Sequence, residues 1–132
     1  MSAWFTKGRN AFATGDIDWI NDLILAIPVA SSLYTPDYDN DVFISDIPEA
    51  ARIASSHIQG KNIVDRVATA IDLTFVALDQ SVPITGIVLA KDTTDINSSP
   101  VFLHINSGTG FPYDHSGEDL VLHWNAGGIF IF

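Results

Sequence analysis

The stretch Ile71-Asp72-Leu73-Thr74-Phe75-Val76-Ala77-Leu78, followed by Asp79-Gln80-Ser81-Val82-Pro83 and Ile84-Thr85-Gly86-Ile87-Val88-Leu89-Ala90-Lys91, decides the fold class. In the first run Ile71, Leu73, Phe75 and Ala77 alternate with Asp72 and Thr74. That period of two predicts a strand with one buried face. The second run is almost continuously apolar and rich in β-branched residues, which predicts a strand covered on both faces. The five-residue polar link with Pro83 would let the two runs pair as an antiparallel hairpin.

Working outward, turn signals recur every 8–12 residues and divide the chain into about eight short strands, the habit of an all-β sandwich or barrel. We expect strands at Leu23–Val29 (Pro28 and the β-branched residues favouring it over a helix at Trp19–Ala26, and placing it at an edge or its end), Ala51–Ile58, Ile63–Thr69, Val101–Asn106, Leu120–Trp124 and Ile129–Phe132. Asp16–Asn21 alternates and reads as a short strand or extended lead-in, and Val42–Ser45 as a short extended piece. Asp46–Ala50 reads as a turn with Pro48 suited to a first helical position. Turns are expected at Gln59–Asn62, Ser107–Gly110 and Ala126–Gly128, and polar loops at Ser31–Asp41 and Asp92–Ser99. Thr6–Ala13 predicts a short helix, with Thr6 as N-cap and Thr14-Gly15 as stop; Gly8 and Asn10 weaken it. Residues 1–15 thus form a short helix or an N-terminal arm. The expected architecture is one antiparallel β-sandwich domain, 1–132, of jelly-roll type. Its core draws on Leu73, Phe75, Ile87, Leu89, Leu103, Ile105, Leu122, Trp124 and Phe130.

The 132 residues include no cysteine, which excludes disulfides, thiolate metal sites and cysteine nucleophiles. Sixteen acidic against six basic residues give a net charge of −10, a field that repels phosphate backbones and argues against nucleic-acid binding. No apolar run approaches the ~20 residues of a membrane-spanning helix. The start Met1-Ser2-Ala3-Trp4-Phe5-Thr6-Lys7 lacks the pattern of an export signal, so synthesis in a cytoplasm is expected.

Candidate chemistry is sparse. Asp37-Tyr38-Asp39-Asn40-Asp41 places carboxylates at alternate positions, like the start of a calcium loop, but Val42 stands where such a loop needs glycine; a solvated acidic turn is the simpler reading. Asp16, Asp18 and Asp22 read as a wet strand face, and Asp114, His115, Glu118 and Asp119 as a polar loop. His57, His104, His115 and His123 have no zinc-motif spacing, although His104 and His123 could meet across a sheet. There is no nucleophile elbow, and Gly108-Thr109-Gly110 lacks the lysine of a phosphate loop. We therefore expect no enzyme, no cofactor and no metal.

Several segments carry a resemblance when taken together. They are Phe5-Thr6-Lys7-Gly8 through Thr14-Gly15-Asp16-Ile17-Asp18-Trp19, then Phe43-Ile44-Ser45-Asp46-Ile47-Pro48 and Ala51-Arg52-Ile53-Ala54. Lys91-Asp92-Thr93-Thr94-Asp95, Ser98-Ser99-Pro100 and Gly108-Thr109-Gly110-Phe111-Pro112 follow. Their order resembles a family of small virion structural proteins of tailed bacteriophages, of the head decoration (cement) type, over nearly the whole chain. Pro28 departs from the family's pattern, which has an uninterrupted apolar strand there. The resemblance implies a virion protein on the capsid surface whose partner is the major capsid protein, bound as a homo-oligomer such as a dimer or trimer. It brings no catalytic residues. Aromatic and aliphatic anchors are favoured at such interfaces, which nominates Trp4, Phe5, Phe12, Ile129, Phe130, Ile131 and Phe132. Two other readings are a tail or head–tail connector protein, and a carbohydrate-binding module using Trp19, Tyr34, Tyr38, Phe111, Tyr113 and Trp124.

Overall fold

A computed structural model describes residues 2–78, 82–106, 111–114, 117–124 and 127–132. It is an all-β, sandwich-like arrangement of antiparallel sheets with one short helix near the N-terminus. In chain order the elements are β1 (Ser2–Trp4), α1 (Thr6–Ala13), β2 (Ile24–Val29), β3 (Ser56–His57), β4 (Asn62–Val64) and β5 (Val67–Thr69). Then come β6 (Leu73–Leu78), β7 (Gly86–Lys91), β8 (Val101–Ile105), β9 (Glu118–Leu122) and β10 (Phe130–Ile131). A five-stranded sheet runs β1-β8-β7-β2-β3, a three-stranded sheet β10-β5-β4, and a two-stranded sheet β6-β9.

The larger sheet is buried on both faces because its central strands carry apolar side chains at consecutive positions. On β7, Ile87 and Leu89 join one core cluster with Ile24, Ala26, Leu73, Phe75 and Phe130. Val88 and Ala90 point oppositely, into a second cluster with Phe5, Ile27, Val29, Tyr34, Ile44 and Ile47. The smaller sheets and α1 cover the first face, and the connection between β2 and β3 covers the second. Between β7 and β8 the register passes from Leu89↔Leu103 to Ala90↔Val101, leaving Phe102 as an extra residue. Such a bulge re-aims a side chain, and Phe102 joins the first cluster while Val101 faces the second.

The expected hairpin between the two runs of 71–91 does not form. β6 pairs with β9, whereas β7 pairs with β2 and β8. The physical difference is coverage: β7 is buried on both faces and lies inside a sheet, while β6 keeps a wet face with Thr74 and Val76 exposed. Ile71, expected inside, is exposed and precedes β6. A register shift between Phe75 and Leu78 breaks the alternation, so that Leu73, Phe75 and Leu78 are all buried. Residues 79–81 of the link, the Ser107–Gly110 turn, His115 and Ala126 lie outside the described residues, as does the side chain of Ala77.

Other segments depart from expectation for local reasons. Asp16–Asn21 is a turn, because the Asp18 carboxylate accepts the N–H groups of Ile20 (3.0 Å) and Asn21 (3.1 Å) and closes the chain on itself. Ala51–Ile58 contributes only β3, after a 3₁₀ turn at Glu49–Ala51. Val42–Ser45 bends into a 3₁₀ turn at Ile44–Asp46, where the Asp46 carboxylate accepts from the Val42 and Phe43 N–H groups. Ile63–Thr69 is not one strand but the hairpin β4–β5, whose two-residue turn is Asp65-Arg66 with φ of 51° and 70°. Pro28 lies one residue from the end of β2, past the Leu25 and Ala26 positions that β3 reaches, where its missing N–H is tolerated.

Helix α1 spans the expected residues, but Phe5 rather than Thr6 occupies the N-cap position. Thr6 instead donates its hydroxyl to Asp39 Oδ1 at 2.9 Å, tying the helix to the acidic loop. Gly8, a weak helix residue by propensity, is required by packing. A Cβ there would stand 2.1 Å from Val101 O and 2.4 Å from Phe102 Cα. The helix backbone therefore rests directly on β8. Gly8→Ala should lower the unfolding free energy by about 3 kcal/mol, at the upper end of overpacking costs. Urea unfolding checks this, and an unchanged midpoint would refute the close seat of α1 on β8.

Candidate functional site

The candidate surface is built where the two ends of the chain meet. β1 lies along β8 with the register Ser2↔Ile105, Ala3↔His104 and Trp4↔Leu103. β10 lies along β5 with Phe130↔Ala68 and Ile131↔Val67. The Phe130 ring lies 5.1 Å from Trp4, 5.8 Å from Phe12, 5.1 Å from Trp19, 5.8 Å from Phe102 and 5.0 Å from Phe132, centroid to centroid. Most of these contacts are edge-on, the arrangement ring quadrupoles favour.

This packing divides the nominated anchors. Phe5, Ile129 and Phe130 are buried in this chain's own core. Trp4 and Phe12 are half-buried against the same cluster. Ile131, 61% exposed, and Phe132 remain open. Within residues 1–15, expected as a short helix or an N-terminal arm, Ser2–Trp4 pairs with β8 and Thr6–Ala13 is helical.

Ile131 belongs to a surface that the sequence did not show. Pairing aligns Val64, Val67 and Ile131 in one cross-strand row, and neighbours in such a row share a face. Val64 and Ile131 are exposed, while Ile63, Ala68 and Phe130 form the adjacent row. The signal was hidden in Asn62–Thr69: once Asp65-Arg66 is seen as a turn, Val64 and Val67 become opposite partners.

The acidic groups are organised by local donors. Asp37 accepts from the Asn40 side chain at 2.9 Å, and this bond holds its carboxyl below the usual carboxylate range. Asp41 accepts the Tyr34 hydroxyl at 2.6 Å and the Asp37 N–H at 2.9 Å, while Asp39 accepts from Thr6. Burial, then the Asp41 carboxylate, pushes the Tyr34 phenol up. The three carboxylates thus turn to three different partners, and no group of three metal-ligating side chains converges among the described residues. Asp16, Asp18 and Asp22 likewise serve a turn and its lysines. Asp22 lies 3.3 Å from the Lys91 ammonium, and Lys91 also donates to Asp16 O at 2.7 Å. The Asn21 side chain lowers the Asp18 pKa.

His104 and His123 do not meet. Tyr38 OH and His104 Nδ1 are 2.8 Å apart, and His123 Nδ1 lies 2.8 Å from Asp72 Oδ2. His57 Nε2 lies 2.7 Å from Asp92 Oδ2, a pairing 35 positions apart that no local motif announces. That bond is the main cause holding the Asp92 carboxyl down. A histidine–carboxylate pair can orient a base, but a Ser-His-Asp arrangement also needs a hydroxyl in contact with the ring. Neither His57 nor His123 bonds a serine or threonine hydroxyl among the described residues.

Of the nominated sugar-stacking rings, Trp19 and Tyr34 are buried. Tyr38, Phe111, Tyr113 and Trp124 are half-buried, and the Trp124 indole donates to Ile71 O at 2.9 Å.

Set against known protein families and curated proteins, the chain matches none.

Burial depresses the His104 pKa from 6.5 to about 4. The unfolded chain then takes up this proton before the folded one does, so His104 makes stability fall as pH drops from about 6.5 toward 4. A ring-proton NMR titration should give a His104 midpoint near 4, and a midpoint near 6.5 would contradict its burial. Phe130→Ala should cost roughly 3–5 kcal/mol of unfolding free energy, as large-to-small core substitutions of aromatics do. Phe132→Ala, on a partly exposed ring, should cost markedly less in the same denaturation assay.

Proposed function

We propose that this chain is a structural protein of a tailed-phage virion that binds the major capsid protein and decorates the capsid. The observation that carries the reading is the ordered resemblance from Phe5-Thr6-Lys7-Gly8 to Gly108-Thr109-Gly110-Phe111-Pro112. Two features of the molecule support it. A net charge of −10 keeps a protein soluble and self-repelling before it is gathered onto a lattice. Val64 and Ile131, which flank half-buried Val67 in one row, and Phe132 offer exposed apolar side chains of the kind that anchor protein interfaces.

The mechanism is mechanical. Apolar surface is buried against capsid subunits, and each bound copy adds contacts that must be broken before the shell can open. Repetition matters more than the strength of one contact, since each position of the lattice presents the same surface. A tail or connector protein would use the same burial at a site of low copy number.

Quantitative mass spectrometry of purified particles checks this reading. The chain should be present in a simple ratio to the major capsid protein. A handful of copies would move it to the tail or neck, and absence from particles would overturn the virion reading.

A further inference from the structure

A cleft of about 350 Å³ is lined by Ser2 and Trp4 of the edge strand β1 on one side and by Gly127, Gly128, Ile129, Phe130 and Ile131, in and before the edge strand β10, on the other. That volume lies at the small end of the ~300–1,000 Å³ range of ligand sites. Hydrogen-bond phase decides which backbone groups face it. Phe5 N–H donates to Phe102 O at 3.0 Å, which makes Phe5 and, two residues back, Ala3 the residues bonded to β8. The N–H and C=O groups of Ser2 and Trp4 therefore point away from β8. On the opposite wall Phe132 N–H donates to Arg66 O at 2.9 Å, so the intervening Ile131 turns its backbone groups away from β5. Among the described residues no backbone hydrogen bond on these outer sides takes up Ser2, Trp4 or Ile131.

Protein edges of this kind are ordinarily blunted by lysine, proline or a covering loop. Here the walls carry Ser, Trp, Phe and Ile, with no charged side chain among the cleft residues. We propose that the cleft receives an extended segment of a different protein as an added strand, bonded to β1 on one side and β10 on the other. The inserted strand would join the five-stranded and three-stranded sheets into one. Main-chain bonds to both edges supply affinity, and side chains at alternate positions supply specificity.

Charge selects the occupant. A second copy of this chain brings another net charge of −10 to the contact, which opposes self-insertion. Arg9 lies over the Trp4 ring at 5.4 Å and makes no ion pair with a described residue. The segment is thus apolar and β-branched where it passes Trp4 and Phe130, and acidic at the end beside Arg9. This chemistry is the same whether or not the chain serves in a virion.

The test uses the full chain and a display library of random ten-residue peptides. A selected peptide is synthesised and titrated into the isotope-labelled protein. Binding should slow amide exchange at Trp4 and Ile131 by about tenfold or more, as new hydrogen bonds to those groups require. An N-methyl scan of the peptide gives a readout that needs no protein variant. Insertion between two edges uses N–H groups at consecutive positions, so methylation at each of two neighbouring positions should weaken binding about tenfold. Arg9→Glu should weaken acid-ended peptides several-fold while lowering the thermal midpoint by only a few degrees, the loss expected of one exposed cation–π contact. Sensitivity at alternate positions only would mean docking on a single edge and would overturn the two-edged insertion. Failure of any peptide to enrich would overturn it as well. Protection of Trp4 and Ile131 that rises with protein concentration in the absence of peptide would assign the cleft to a second copy and overturn the choice of occupant.

Discussion

The contact on which the structure depends is the burial of Phe130. Its ring meets those of Trp4, Phe12, Trp19, Phe102 and Phe132, which belong to β1, α1, the turn after α1, β8 and the residue following β10. Aromatic pairs of this geometry contribute ~0.5–1.5 kcal/mol each beyond the area they bury. One residue near the last position thereby fixes the first strand, the helix and a central strand relative to one another. Terminal segments usually fray when nothing ties them down; here they close the core. The same closure separates Ile131 from Phe130. Alternation along β10 sends one side chain inward to the cluster and the next outward beside Val67.

The class of the fold was legible because it rests on local periodicity. Gly86–Lys91 reads as covered on both faces, and it is. Thr6–Ala13 reads as a helix and has those bounds. Strand partnership was not legible. The neighbours of β7 come from 24–29 and 101–105, and its sequence neighbour β6 goes to 118–122. Nothing within Ile71–Lys91 states that choice, since hairpin and crossover begin from the same alternating text. Asp65-Arg66 escaped notice because a two-residue turn with positive φ at both positions is expected to contain glycine or asparagine. Gly8 was misjudged in the opposite sense. Propensity counts only the entropy lost in the helix, whereas β8 demands the missing Cβ.

The candidate surface was legible only in part, for a related reason. Apolar residues at a chain end have two fates, this chain's core or a partner's surface, and composition does not separate them. Burial does: Phe5, Ile129 and Phe130 take the first fate, while Ile131 and Phe132 are open. The polar constellations follow a similar logic. Asp37 and Asp41 have the alternate spacing of the start of a calcium loop and Asp18 read as part of a wet strand face, but the oxygens of all three accept from nearby backbone and side-chain donors. These carboxylates shape turns and give the exterior its charge. The histidine pairs form between residues 35 to 66 positions apart, a separation that only the folded chain bridges.

Native-state hydrogen exchange tests most directly the claim that Phe5 and Phe130 belong to the core. The amides of Phe5 and Phe130 should exchange only through global unfolding, with the same opening free energy as Val88 at the centre of the five-stranded sheet. Exchange of Phe5 and Phe130 at a much lower free energy than Val88 would contradict the account, because it would mean that the ends detach while the sheet stays folded.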